Sequence, residues 1–90
     1  MKLNIKTVKE HIEAGHEFFW ESMPLTRRYQ LRAVTYGWEN GNVRTRGIYN
    51  APDYENAKLV CDTITNLRGT INVASLEKIA EDRYWETGSR

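Results

Sequence analysis

The stretch that decides the fold runs from Arg28 to Asn50 and reads RYQLRAVTYGWENGNVRTRGIYN. Two arms rich in aromatic and β-branched residues flank Asn40-Gly41, and Asn-Gly between such arms is a strong β-hairpin signal. A two-residue turn at that point would pair Tyr36 with Thr45. With that register, one face of the hairpin holds Arg32, Val34, Tyr36, Trp38, Val43, Thr45 and Tyr49. The opposite face holds Tyr29, Leu31, Ala33, Thr35, Arg44, Arg46 and Ile48.

The region before this basic β-hairpin (residues 27–50) predicts an N-terminal helical segment over residues 1–26. Thr7–Glu10 fits a capping box, in which a Thr hydroxyl and a Glu three residues later satisfy free amides. Gly15 leaves two lengths open: it caps a short helix at Ala14, or it lies inside a longer helix that reaches Ser22. We favour the longer helix, because Pro24 would stop it.

A second helix is expected after the hairpin. Asp53 is a good N-cap for a helix over residues 53–66, and Gly69 fits a left-handed C-terminal cap. Residues 70–79 then read as a strand, with Ile71 and Val73 on one face. Residues 75–85 fit a helix nearly as well.

Together these elements predict a single small α+β domain over residues 1–90. It consists of an N-terminal helix followed by a β-β-α-β unit with a three-stranded antiparallel sheet, and residues 80–90 form a tail. Cys61 is the only cysteine, which excludes an internal disulfide and suggests a buried, inert thiol. No segment resembles a signal peptide or a membrane span, so we expect a cytoplasmic protein with no membrane partner.

Side chains for catalysis or metal binding are sparse. His11 and His16 would point about 140° apart on a helix, so we expect no shared metal. Ser22 and Ser75 have no visible His and Asp partners, and no glycine-rich loop precedes a helix. Four glutamates at helical spacing read as a solvated helix face: Glu10, Glu13, Glu17 and Glu21. We therefore expect no enzyme, no cofactor and no metal.

Charge and aromatic rings concentrate in the hairpin. Residues 27–50 carry five Arg and one Glu, whereas the whole chain has a net charge of +1. The candidate partner-binding residues are Arg32, Tyr36, Trp38, Arg44, Arg46 and Tyr49. Such a set suits a protein interface, or RNA and single-stranded DNA, where bases stack on rings. Alternatively, the rings lie under a helix and the arginines are ordinary solvated side chains.

Oligomerisation is a further alternative for the aromatic residues. Exposed Phe18, Trp20, Trp38 and Trp85 would favour a homo-oligomer. The small net charge argues against general nucleic-acid binding, because contacts with phosphate dominate the affinity for nucleic acids.

The layout from Tyr29 to Ile79 resembles that of small bacteriophage proteins. The resemblance is carried by Tyr29–Val34, Asn40-Gly41, Ile48–Ala51, Asp53–Lys58 and Gly69–Val73. It is similar to phage inhibitors of host RNA polymerase and to small anti-CRISPR proteins. The resemblance implies a non-enzymatic inhibitor in the host cytoplasm that docks on a host protein or ribonucleoprotein complex. The alternative is a module that binds RNA or single-stranded nucleic acid.

Overall fold

The described part of the chain folds into one helix, three antiparallel strands and two further helices. The computed structural model describes residues 3–23, 25–36 and 43–88, with the side chains of residues 36 and 84–88 excepted. The elements in chain order are α1 (Ile5–Glu13), β1 (Phe18–Met23), β2 (Arg28–Tyr36), β3 (Val43–Ala51), α2 (Tyr54–Asn66) and α3 (Val73–Gly88). The strands form one sheet in the order β1-β2-β3. The predicted α+β class and three-stranded antiparallel sheet are confirmed.

The first helix is short, so the favoured prediction of a helix to Ser22 is wrong. The Asn4 side chain accepts a hydrogen bond from the Thr7 amide and starts α1 at Ile5. Gly15 has a φ of 80° and ends the helix, since this left-handed conformation costs glycine little. The residues that follow are thus free to extend, and they form β1.

The expected strand over residues 70–79 is also wrong, and its place in the sheet is taken by β1. Ile71 makes a single parallel bridge to Phe18. The Asn72 side chain then accepts a hydrogen bond from the Ser75 amide at 3.1 Å, which is N-cap geometry. The helix α3 runs from Val73 to Gly88, so the helical alternative for residues 75–85 is confirmed, and the prediction of a tail from residue 80 is wrong because the helix continues past that residue.

The predicted helix after the hairpin is confirmed, but Gly69 has a different role from the one expected. Asp53 caps α2 by accepting from the Asn56 amide at 2.8 Å. Arg68, with a φ of 64°, takes the left-handed position instead of Gly69. A Cβ on Gly69 would lie 2.7 Å from Ile64 Cγ2 and 2.9 Å from Ile12 Cδ1, so only glycine fits there.

The hairpin pairs in a register two residues away from the predicted one. Tyr36 pairs with Val43 rather than with Thr45, and the predicted Asn40-Gly41 turn lies outside the described residues. Between Arg32 and Thr35 on β2 and the facing part of β3, this shift of two residues leaves the side chains on the faces predicted for them.

A β-bulge moves one predicted site residue to the other face. Arg32 pairs with Gly47, but Leu31 pairs with Tyr49, which leaves Ile48 as the extra residue of β3. Tyr49 consequently shares a face with Leu31 and not with Arg32, in contrast to the prediction.

All three helices pack on one face of the sheet. The sheet contributes Phe18, Trp20, Tyr29, Leu31, Ala33 and Ala51 to the core, and the helices contribute Val8, Ala57, Val60, Cys61, Ile64, Leu76 and Ile79. Phe18 and Trp20 are buried, so they do not supply the exposed apolar surface expected for a homo-oligomer. No described helix is long and apolar enough to cross a membrane.

The buried thiol is tied to the sheet. Trp20 Nε1 donates a hydrogen bond to Cys61 Sγ at 3.3 Å, which joins β1 to α2. Burial, opposed in part by this hydrogen bond, raises the pKa of the Cys61 thiol above its usual range. The prediction of a buried thiol is confirmed.

Candidate binding surface

The predicted partner-binding residues fall on both faces of the hairpin. Arg32 lies on the open face, whereas Arg44 and Arg46 pair with Thr35 and Ala33 and lie on the face that carries the helices. Both of the latter arginines are nevertheless exposed, because β3 is an edge strand. Tyr49 packs half-buried against the core. Trp38 and the side chain of Tyr36 lie outside the described part of the chain.

Arg32 is held flat across the open face. Its Nε donates to Thr45 Oγ1 at 3.0 Å, and its Nη2 donates to Thr45 O at 3.4 Å. Its Nη1 donates to Gln30 Oε1 at 3.0 Å, and Glu21 lies 3.8 Å from its Nε. Its strand partner Gly47 has no Cβ, and an added Cβ would lie 3.0 Å from Gln30 Nε2 but 3.6 Å, an ordinary contact distance, from Arg32 Nη1. Glycine at position 47 therefore leaves room for the Gln30 amide that holds the guanidinium.

The outer edge of β3 directs backbone groups toward solvent, and of these Thr45 O accepts the long hydrogen bond from Arg32 Nη2. The Val34 amide donates to Glu17 O at 2.8 Å on the β1 side, so the backbone groups of Val34 point away from β3. In an antiparallel pair, the backbone groups of its partner Thr45 then point away from β2. The same alternation directs those of Val43 and Gly47 outward. Residues 43–47 are all exposed, so this edge is open to solvent.

The opposite edge of the sheet, on β1, is covered. Phe18 N donates to Thr70 O at 2.9 Å, and Asn72 N donates to Phe18 O at 2.8 Å. Trp20 N donates to Ser75 Oγ at 2.8 Å. These three bonds close the β1 edge with the segment that leads into α3. The two edges of the sheet therefore differ in their capacity to pair with another strand.

The edge of β3 carries arginines on both sides, and on the open face Glu21, 3.8 Å from Arg32 Nε, offsets part of the charge. Arg32 reaches Thr45 from the open face, and Arg44 and Arg46 project on the other face. Within the described residues, neither Arg44 nor Arg46 forms an ion pair. Because these two arginines form no ion pair with the described residues, their positive charge is available to a partner.

The two histidines meet, although a continuous helix would have separated them. Because α1 ends at Glu13, the chain turns back and His11 Nδ1 lies 2.8 Å from His16 Nδ1. Burial, followed by the charges of His16 and Arg46, lowers the pKa of His11. Among the described residues, no three His, Cys, Asp or Glu side chains come together as a metal site.

Sequence reasoning missed an apolar pocket beside the turn between β1 and β2. Ser22, Met23, Leu25 and Thr26 line an open surface pocket of about 330 Å³, and Leu25 is fully exposed. Arg83 of α3 donates a hydrogen bond to Arg27 O at 2.7 Å, which holds this turn against α3. The exposed Leu25 between two strands was the available signal, since turns rarely place a large aliphatic residue in water.

Comparison with known proteins does not place the chain in a family. No family model, curated protein or solved structure matches it. Its function therefore has to be inferred from its own side chains and backbone.

Proposed function

We propose that this chain is a non-enzymatic binding module that docks on an acidic surface of a partner protein through the β2–β3 hairpin. The observation that carries the proposal is the placement of Arg32 on one side of the β3 edge and of Arg44 and Arg46 on the other. Arginine is enriched among the residues that dominate protein interfaces. Opposite charge on the partner would speed and orient the encounter.

The same surface is less well suited to single-stranded nucleic acid. Stacking of bases requires exposed rings, and the described rings of the hairpin, Tyr29 and Tyr49, are buried or half-buried. A net charge of +1 also provides little general attraction to phosphate.

The resemblance to phage inhibitors suggests what docking would do to the partner. By that analogy, docking on a host protein or ribonucleoprotein complex in the cytoplasm would block a working surface of the partner. Inhibition is thus the expected effect, and the acidic surface is the expected point of contact.

Affinity capture from bacterial lysate tests the proposal. The tagged chain, the variant Arg44→Glu/Arg46→Glu and the control Lys6→Glu/Lys78→Glu are compared with and without nuclease. The control changes the net charge equally at exposed helix positions. We expect the hairpin variant to bind its partner roughly tenfold more weakly or worse, since interface arginines often contribute more than about 1 kcal/mol each.

The outcomes of this comparison are distinct. Capture that survives nuclease and is lost only in the hairpin variant supports docking on a protein. Capture that disappears with nuclease would favour RNA binding instead. Equal loss in both variants would indicate a nonspecific charge effect and would contradict the proposed site.

A further inference from the structure

We propose that the outer edge of β3 binds an extended acidic segment of the partner as a fourth strand of the sheet. The proposal rests on the function proposed above and specifies how the hairpin would engage its partner. Strand addition to an open edge is a common mode of peptide recognition, in which backbone hydrogen bonds provide affinity and flanking side chains provide specificity.

The length of the open edge is set by the bulge. Backbone groups of Val43, Thr45 and Gly47 point outward along the regular part of β3. The bulge at Ile48 then bends the strand and interrupts regular pairing. An added strand would therefore pair along residues 43–47. The covered β1 edge offers no equivalent site at Phe18 and Trp20.

The arginines on both sides of the β3 edge favour an acidic strand as the segment that binds there. Side chains of an added strand alternate between the two faces. Those on the open face would approach Arg32, and those on the other face would approach Arg44 and Arg46. A second copy paired through the same edge would bring like charges together, which is unfavourable across strands. Glu or Asp in the added strand would instead find opposite charge on either face.

The hydrogen bonds of Arg32 are compatible with an added strand. Its contact with Thr45 O, at 3.4 Å, is longer than its bond to Thr45 Oγ1, at 3.0 Å. An incoming backbone amide can take the carbonyl while Arg32 keeps its bonds to Thr45 Oγ1 and Gln30. The released Nη2 hydrogen would then be available to an acidic side chain of the added strand.

The test uses the full chain and a labelled peptide of alternating Glu and Val with blocked ends, at low salt. Fluorescence anisotropy measures its affinity, and backbone amide shifts and hydrogen exchange locate it. We expect slower exchange at Val43, Thr45 and Gly47 when the peptide binds. The same peptide with N-methylated backbone amides should bind at least tenfold more weakly, because it cannot form the ladder.

Two substitutions separate the backbone from the charge. Thr45→Pro removes an outward amide without breaking a backbone bond to β2, and Pro is tolerated on edge strands. It also removes the hydroxyl that accepts from Arg32 Nε. Thr45→Val keeps that amide and serves as the matched control. We expect Thr45→Pro to weaken peptide binding about tenfold and Thr45→Val to change it little, with both variants folded by circular dichroism.

The results distinguish failure of strand addition from failure of docking. If N-methylation and Thr45→Pro leave binding unchanged while Arg44→Glu/Arg46→Glu abolishes it, strand addition is overturned and charge-driven docking stands. If the double charge reversal also has no effect, both proposals fail. A dimer of the free chain that Thr45→Pro dissociates would assign the edge to a second copy and would overturn the acidic occupant.

Discussion

Substitution of Gly69 by Ala should destabilise the fold strongly, although Gly69 has no left-handed conformation to protect. The new Cβ would lie 2.7 Å from Ile64 Cγ2 and 2.9 Å from both Cδ1 and Cγ1 of Ile12. Ile64 is fully buried and cannot move aside, so either α1 or α2 must shift. Overpacking of this kind costs about 1–3 kcal/mol, and two crowded side chains place the expected loss near 2–3 kcal/mol.

Urea unfolding followed by tryptophan fluorescence measures this loss, since Trp20 is buried in the core. In thermal unfolding the same loss lowers Tm by roughly 10–20 °C for a domain of this size. Gly15→Ala is the comparison: nothing lies within 4 Å of its Cβ, but its φ of +80° is unfavourable for Ala. We expect a cost of about 1 kcal/mol there, from the backbone alone.

A double-mutant cycle with Ile12→Ala identifies the cause. Removal of the Ile12 side chain relieves part of the crowding, so Gly69→Ala/Ile12→Ala should be about 1 kcal/mol less destabilised than the sum of the single variants. Gly15→Ala should add to Ile12→Ala without such coupling. Strict additivity for Gly69, or wild-type stability of Gly69→Ala, would refute the close approach of α1 and α2.

Three further predictions concern the core and the histidine pair. Leu76→Ala empties a fully buried site in α3 and should cost about 2–5 kcal/mol in urea unfolding; a loss below about 1 kcal/mol would mean that α3 packs loosely. Because burial, His16 and Arg46 lower the pKa of His11 from 6.5, the unfolded chain binds the proton more readily. The free energy of unfolding should thus fall as the pH drops below about 6.5, and His11→Gln should lessen this dependence. Burial raises the pKa of Cys61, so a thiol reagent should modify it only when the fold opens, and faster in Trp20→Phe; immediate modification of the wild type would contradict the packing.

Local signals in the sequence predicted some elements correctly because the structure uses them locally. Asp53 followed by a helical pattern predicted α2, and its side chain does cap that helix. The alternation in the two arms predicted β2 and β3 and the faces of Arg32, Arg44 and Arg46, but not that of Tyr49. The bulge that turns Tyr49 over depends on pairing between strands, which no single arm encodes.

The errors at the two ends have a shared physical cause. Phe18–Met23 has apolar residues at positions that fit a helix, so only Gly15 indicated that the chain would extend there. Val73 and Ile71 favour a strand by propensity, yet the Asn72 cap and the packing of Leu76 make the segment a helix. In both places tertiary contacts override a weak local preference.

The candidate surface was predictable in composition but not in arrangement. Arg32, Arg44 and Arg46 were identified by charge alone, and all three flank the β3 edge. Arg32 lies opposite Gly47 because of the strand register, and this register is defined only by pairing in the folded sheet. The meeting of His11 with His16 likewise required the end of α1 at Glu13.

The unequal edges of the sheet also govern how this protein behaves when crowded. Growth of a sheet into a fibril requires two free edges on every unit, so that each added chain offers a new site. Here the bonds from Thr70, Asn72 and Ser75 to β1 terminate the sheet on one side. A chain that pairs through β3 therefore exposes no further edge at Phe18 and Trp20, and association by this route stops after one step. Removal of the Ser75 hydroxyl would weaken the cover of the β1 edge. We expect such a variant to form ordered aggregates more readily at high concentration.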